Sequence, residues 1–245
     1  MIYSREDRLR FQYWDGAKAP EVLLRELWRL RVEMLDLCKS PDADWQYFQA
    51  FVSAPDSAIL TFHDTADRVQ GFFTIAFMPV EHLGKKGLLL YSKYFYFRRA
   101  YRGHYKTILA PWVLLPIGFR NYGLRSIHFV STTYPQSFVS LSRSAGNVRA
   151  LHSADISPWQ SAALTEFAAT LYPDDFDGSS GIVRNQNVVD TPSMPRSPES
   201  RALHDEYLRL NPDWRDGNTL PIIFSVDPTL IRTVTKRTLR RLRPR

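Results

Sequence analysis

Residues 86–106, KGLLLYSKYFYFRRAYRGHYK, change character halfway along. The first part, Lys86–Phe97, is rich in leucine, tyrosine and phenylalanine, which is typical of a buried strand. The second part, RRAYRGHYK, is basic and contains one glycine, as in a loop. An apolar segment to about Asn121 then predicts a helix. The stretch therefore predicts a long strand that runs through a basic loop into a helix.

Upstream of this stretch the apolar pattern changes from helical to extended. Pro20 to about Leu37 predicts a helix, because apolar residues recur at steps of three and four. A second helix is predicted from Asp42 or Asp44 to Val52, with an acidic start that suits the helix dipole. Ala58–His63 and Val69–Met78 then predict strands that form an antiparallel meander with residues 86–97. Two helices therefore precede the first predicted strand.

Downstream, a short apolar strand is predicted over Ser126–Thr133, followed by a helix over Gln136–Ala145 that ends at Gly146. The polar, proline-containing residues 184–200 predict a surface loop. The remaining predicted elements are helices over Pro158–Leu171 and Glu199–Leu210, a strand over Leu220–Val226 and a basic helix over Pro228–Leu242.

Length and composition exclude several classes of protein. The chain has 245 residues, of which 44% are hydrophobic and 23% charged, so it is globular and not disordered. Cys38 is the only cysteine, which excludes a disulfide framework and a multi-cysteine metal site. The N-terminal MIYSREDRLR has no apolar run and no stretch reaches the roughly 20 apolar residues of a membrane span. We expect no transmembrane segment and a cytoplasmic location.

The positive charge is confined to one end of the chain. The net charge is +7, and residues 231–245 carry seven basic residues and no acidic one, so residues 1–230 are formally neutral. Such a tail is expected to attract an acidic surface, for which an anionic membrane, a nucleic acid and an acyl carrier protein are the alternatives. The other interpretation is a tail that only aids solubility.

The order of elements from about Pro20 to Gly146 resembles that of the GNAT superfamily of N-acyltransferases. The resemblance implies an α/β (α+β) fold with a mixed, mainly antiparallel central sheet flanked by helices. We expect residues 1–245 to form one enlarged domain, with a core at about 18–150, an irregular C-terminal extension at about 151–230 and a basic tail at 231–245. The implied reaction moves an acyl group from acyl-CoA, acetyl-CoA or another pantetheine thioester to an amine acceptor. The thioester is a co-substrate, and no tightly bound cofactor is expected.

In the resembling family, backbone amides of the loop after the fourth strand hold the pyrophosphate of the donor, as helix N-termini do in general. The family pattern places Arg102 at its first position, followed by Gly103. Tyr105 stands where the family has its first glycine, and Thr107 where it has a second small residue. The residues expected to bind the donor are Phe97, Arg98, Arg99, Arg102, Gly103, His104, Tyr105, Lys106 and Thr107.

Acyl transfer to an amine also requires groups that move protons. The family often has a tyrosine four residues before the glycine that closes the helix after the fifth strand, where this chain has Ser142. Because serine is a far weaker acid than tyrosine, Tyr134, Tyr94 or Tyr96 could donate the proton instead. His128 is a candidate base, since histidine titrates near neutrality. No metal site is predicted, because the six histidines lack ligand spacing.

Simpler interpretations of the same residues stay open. RRAYRGHYK also fits a solvated turn, and His128 also fits a half-buried, hydrogen-bonded histidine. The alternative function is a GNAT-fold binding or regulatory protein without catalysis, whose basic tail docks on an acidic partner. The sequence leaves open the acceptor and the length of the acyl chain.

Overall fold

The computed structural model describes residues 9–34, 40–101, 115–118, 120–123, 126–184, 186 and 197–233. Contacts divide the chain into two compact units. Unit 1 comprises Met1–Met78 and Leu90–Leu124, and unit 2 comprises Pro79–Leu89 and Arg125–Arg245. The single enlarged domain stays a prediction. No described helix has the length and apolar character that crossing a membrane requires.

Unit 1 contains the two predicted helices, α1 at Glu21–Val32 and α2 at Pro41–Val52. Pro20 precedes α1, and the Ser40 hydroxyl caps α2 by accepting a hydrogen bond from the amide of Ala43 at 3.4 Å. The apolar faces of both helices join the strands of the unit in one core, which includes Leu24, Leu27, Leu30, Trp45, Phe48, Ile59 and Phe72.

The sheet of unit 1 begins with a strand that the sequence analysis missed. Strand β1 at Arg10–Asp15 pairs antiparallel with β2 at Ser57–His63, which pairs antiparallel with β3 at Val69–His82. The expectation that two helices precede the first strand is therefore wrong. Most of β1 is exposed, so it shows no alternation of apolar and polar residues. This edge strand is held by its hydrogen-bond ladder with β2.

The long strand predicted over Lys86–Phe97 is interrupted, which corrects that prediction. It forms β4 at Lys85–Tyr91 and β5 at Phe95–Phe97, and β5 pairs antiparallel with β3. At the interruption the Tyr94 amide donates to the Thr74 hydroxyl at 3.2 Å, while the Thr74 amide donates to the Tyr94 carbonyl at 2.8 Å. The Thr74 hydroxyl thus takes the place of a backbone carbonyl as the acceptor for the Tyr94 amide.

Unit 2 contains the β3–β4 turn. Its strands lie in the order β4, β6 at Ser126–Thr133, β10 at Leu220–Ser225 and β7 at Arg149–Ala150. Strand β6 pairs antiparallel with β10, which pairs antiparallel with β7. The mixed α/β class with a mainly antiparallel sheet flanked by helices is therefore confirmed. The helices of the unit are α3 at Pro135–Ala145, α4 at Pro158–Leu171 and α5 at Pro198–Leu210.

The region expected to be irregular, 151–230, is largely ordered into elements. It contains α4, α5 and β10, together with a small hairpin of β8 at Phe176–Asp177 and β9 at Ile182–Val183. Strand β6 and helix α4 have the predicted bounds. Of the predicted basic terminal helix, residues 228–233 are helical, and the remainder lies outside the described residues.

Candidate functional site

The predicted donor loop is described only at its start. Strand β5 ends at Phe97, whose ring packs edge-on against Phe62 with centroids 4.9 Å apart. A Cβ on Gly71 would lie 2.1 Å from the Phe97 ring, so this glycine makes room for it. The side chain of Phe97 therefore belongs to the core. Of the nine residues expected to bind the donor, six lie outside the described residues: Arg102, Gly103, His104, Tyr105, Lys106 and Thr107.

The two arginines at the start of the loop differ in their surroundings. Arg98 donates to both carboxylate oxygens of Glu33, at 2.6 and 3.3 Å, just after α1 ends. Arg99 is exposed in a short 3-10 turn. The guanidinium of Arg98 is already paired with a carboxylate in a bidentate contact. The positive charge that would bind a phosphate at this loop therefore has to come from the other basic residues.

A buried ion pair joins α1 to α2 in unit 1. The Arg31 guanidinium binds both oxygens of Asp44, and Trp28 donates its indole N–H to the same carboxylate at 2.8 Å. Both charged side chains are 3% exposed. Burial alone lowers the pKa of Arg31, but its hydrogen bond with Asp44 and the nearby Tyr94 and Tyr96 outweigh burial and raise that pKa. The Arg31 guanidinium is thus held in its charged form.

Tyr94 and Tyr96, two of the predicted proton donors, adjoin this ion pair. The Arg31 guanidinium carbon lies 5.2 Å from the centre of the Tyr94 ring. Tyr94 is 3% exposed and its ring packs on Phe48, with centroids 5.0 Å apart. Arg31 was not among the predicted residues, although a signal was present: it falls four positions after Leu27, on the apolar stripe of α1.

Tyr134 and Ser142, the other two predicted donors, lie on α3 in unit 2. Tyr134 follows the last residue of β6 and is the N-cap residue of α3, with its side chain half-buried. Ser142 lies in the last turns of the same helix. Its hydroxyl oxygen is buried and has no hydrogen-bond partner in the described part of the chain. Tyr134 as a residue is half-buried, whereas the hydroxyl of Ser142 is enclosed.

His128, the predicted base, lines a groove of about 270 Å³ in unit 2. Its ring packs against Trp159 with centroids 4.5 Å apart, and its Nδ1 lies 3.1 Å from the Ser225 hydroxyl. Burial lowers the pKa of His128 to about 4, so the imidazole is neutral at pH 7. The groove lies beside the starts of β4 and β6, since Ser126 donates its hydroxyl to the Lys86 carbonyl at 3.3 Å.

The structure does not bring His128 and Tyr134 together. They are six positions apart along an extended strand, and a strand rises about 3.3 Å per residue. This places their Cα atoms about 20 Å from one another along the direction of β6. The two side chains therefore cannot act on the same substrate atom. Tyr94 and Tyr96 belong to unit 1, whereas His128, Tyr134 and Ser142 belong to unit 2.

No family model matches the sequence, and no curated protein sequence matches it. Arabidopsis thaliana NAA60 in complex with a bisubstrate analogue is 8% identical with a TM-score of 0.48, and the match covers 90% of this chain and 100% of that chain. An acyl-CoA N-acyltransferase from Pseudomonas aeruginosa is 15% identical with a TM-score of 0.41, covering 56% and 86%. Aminoglycoside 6'-N-acetyltransferase AAC(6')-Ih from Acinetobacter baumannii is 10% identical with a TM-score of 0.42, covering 56% and 86%.

Several of the matching solved structures are of N-acetyltransferases or N-acyltransferases. At these identities the likeness extends to the fold alone. Donor, acceptor and reaction are therefore argued from the residues of this chain.

Proposed function

We propose that this protein is an acyltransferase that moves an acyl group from a coenzyme A thioester to an amine acceptor. The observation that supports it is the path of the chain in unit 1. Strand β5 passes at Phe97 into a basic segment, and residues 115–118 and 120–122 are helical. The sequence predicts that a basic loop, most of which lies outside the described residues, connects this strand to the helix. Such a connection suits a pyrophosphate, because a helix N-terminus offers free amides and partial positive charge.

In this proposal residues 98–107 hold the donor. Backbone amides of the loop bind the pyrophosphate, and Arg102 and Lys106 add charge-assisted hydrogen bonds. Arg98 is engaged by Glu33 and has a smaller part in this site. The co-substrate is acyl-CoA or acetyl-CoA, and an acyl carrier protein that presents the same pantetheine thioester is a further donor of this class.

The transfer itself needs one new bond and one proton at the leaving group. The neutral amine attacks the thioester carbonyl, the C–N bond forms as the C–S bond breaks, the nitrogen releases one proton to solvent, and the leaving thiolate takes up one proton. We assign that proton to the hydroxyl of Tyr134. Tyr134 directly follows β6 and is half-buried. Its phenol is a far stronger acid than the buried hydroxyl of Ser142.

Calorimetric titration with coenzyme A and with acetyl-, medium- and long-chain acyl-CoA tests the donor site. The double variant Arg102→Ala, Lys106→Ala is expected to bind coenzyme A at least tenfold more weakly, because two charged contacts to phosphate are lost. Lys18→Ala, Arg201→Ala removes the same charge elsewhere and should bind normally.

Two results would contradict the proposal. If a folded Arg102→Ala, Lys106→Ala variant bound coenzyme A with full affinity, residues 98–107 would not be the phosphate site. A wild-type protein that binds none of these thioesters would favour the non-catalytic binding protein over the enzyme.

A further inference from the structure

Unit 2 contains a second, larger cavity of about 600 Å³ at the C-terminal end of α5. Its walls come from the end of that helix, the turn before β10 and the hairpin at β9. They include Arg209, Asp213, Asp216, Asn218 and Ile182. The volume lies within the range of small-molecule sites, which is roughly 300 to 1,000 Å³.

The cavity presents charges of both signs that do not neutralise one another. Arg209, Asp213 and Asp216 are exposed, and none of them forms an ion pair within the described residues. Arg209 and Asp213 are four positions apart, a spacing that pairs side chains only within a helix. Since α5 ends at Leu210, that geometry is lost. By contrast Arg184, on the same cavity, is paired with Asp177 at 2.6 Å.

The wall of the cavity is held by buried polar contacts. The fully buried Asn211 donates its side-chain amide to the Asn218 carbonyl at 3.0 Å and to the Tyr207 hydroxyl at 3.1 Å. Val183 and Thr219 exchange two backbone hydrogen bonds, of 2.8 and 3.0 Å. The backbone that carries the unpaired charges is therefore held by buried contacts, as a binding site requires.

The same frame connects the cavity to Tyr134. The Tyr207 hydroxyl, which accepts from Asn211, donates to the Thr133 carbonyl at 2.7 Å. Thr133 is the residue directly before Tyr134. A short chain of buried hydrogen bonds thus leads from the cavity wall to the proposed general acid.

The packing of two helices places both features at one end of the unit. Phe138, near the start of α3, packs on Tyr207, near the end of α5, with ring centroids 5.5 Å apart. Arg143, near the end of α3, faces Glu199, at the start of α5, at 3.7 Å. The helices are therefore antiparallel, so the start of α3 at Tyr134 and the end of α5 at Arg209 lie at the same end.

We propose that this cavity binds the zwitterionic head of the acceptor, and that the acceptor is a small diamino acid. Arg209 binds the α-carboxylate, and Asp213 and Asp216 bind the α-ammonium. The side-chain amine then extends toward Tyr134, where it is acylated. This inference rests on the proposed function, because it names the acceptor of the same reaction.

A titration series that removes one charge of the ligand at a time tests the inference. L-lysine and L-ornithine carry both head charges, 6-aminohexanoate lacks the α-ammonium, and cadaverine lacks the carboxylate. The wild-type protein is expected to bind L-lysine or L-ornithine about tenfold or more tightly than either truncated probe, because each loses a charge-assisted contact. Binding is measured by calorimetry without any donor.

Variants test which residues supply the contacts. Arg209→Gln is expected to lower the affinity for the diamino acid about tenfold to a hundredfold and to leave that for cadaverine unchanged. Asp213→Asn, Asp216→Asn should lower the affinity for the diamino acid and leave that for 6-aminohexanoate unchanged. Arg201→Gln, an exposed arginine on the same helix, is the matched control.

Failure of this inference is distinguishable from failure of the proposed function. Equal affinity for all four probes, no binding of any of them, or unchanged affinity in both cavity variants would overturn it. Coenzyme A titrated into the same samples reports on the donor site alone. Normal coenzyme A binding without diamino acid binding would leave the acyltransferase with a different acceptor.

Discussion

The hydroxyl of Tyr134, the residue after β6, donates the proton in the proposed reaction. Tyr134→Phe keeps the ring and removes only the acid, so turnover is expected to fall about a hundredfold to ten-thousandfold. The measurement is release of free thiol from acyl-CoA in the presence of acceptor. Tyr13→Phe, on the exposed edge strand β1, is the control. Full turnover in Tyr134→Phe would move the role to Tyr94, Tyr96 or Ser142, in that order.

A single buried histidine is expected to make stability depend on pH. The folded-state pKa of His128 is about 4, because burial disfavours the charged ring, and that of the unfolded chain is about 6.5. Between these values the unfolded state binds more protons, so stability present above pH 6.5 is lost as the pH falls toward 4. The loss amounts to about 3 kcal/mol when complete.

Urea unfolding at a series of pH values measures this loss. His128→Gln should flatten the curve between pH 4 and 6.5, whereas His152→Gln, at an exposed histidine, should leave its slope unchanged. An unaltered slope in His128→Gln would show that the imidazole is not the group that titrates.

At the scale of elements, α1 and α2 are joined by a charged contact inside an apolar core. Asp44→Asn leaves Arg31 buried without its counter-charge and is expected to cost about 3 to 5 kcal/mol of the free energy of unfolding. Replacing both partners, as Arg31→Met, Asp44→Leu, should restore most of that loss, because no buried charge remains.

Denaturant unfolding of Arg31→Met, of Asp44→Leu and of the double variant gives the coupling energy of this pair. The control is Arg10→Met, which breaks the exposed pair with Asp67 and should cost no more than about 1 kcal/mol. A double variant as unstable as Asp44→Asn would mean that the pair contributes packing that the apolar replacements cannot supply.

Elements with a strong local pattern were predictable and those without one were not. Strand β6 and helix α4 have the predicted bounds, because their apolar periodicity lies within one segment. Strand β1 was missed because its partner, β2, starts more than forty residues later. The interruption before β5 was missed because it depends on Thr74, which reaches Tyr94 from another strand.

At the scale of the molecule, the net positive charge lies in the tail, residues 231–245. Leu230 is 3% exposed, so the segment that precedes the tail is packed. Deleting residues 232–245 is expected to keep the fold and coenzyme A binding, and to abolish salt-sensitive binding to anionic vesicles, DNA or an acidic carrier protein. Cosedimentation at low and high salt measures the binding to the acidic partner. Unfolding on truncation would assign the tail a structural role, and equal binding at all salt concentrations would exclude electrostatic attraction.

The chain's own pattern was sufficient for the fold class and for the bounds of elements such as β6 and α4. These follow from periodicity, charge and turn residues that lie within reach of one another along the chain. The pairing of Arg31 with Asp44 and the cavity at Arg209, Asp213 and Asp216 depended on how separate segments fold together. Thr133 and Tyr207, 74 positions apart, show the reason: their hydrogen bond exists only once α5 packs against the end of β6, and no local pattern encodes that contact.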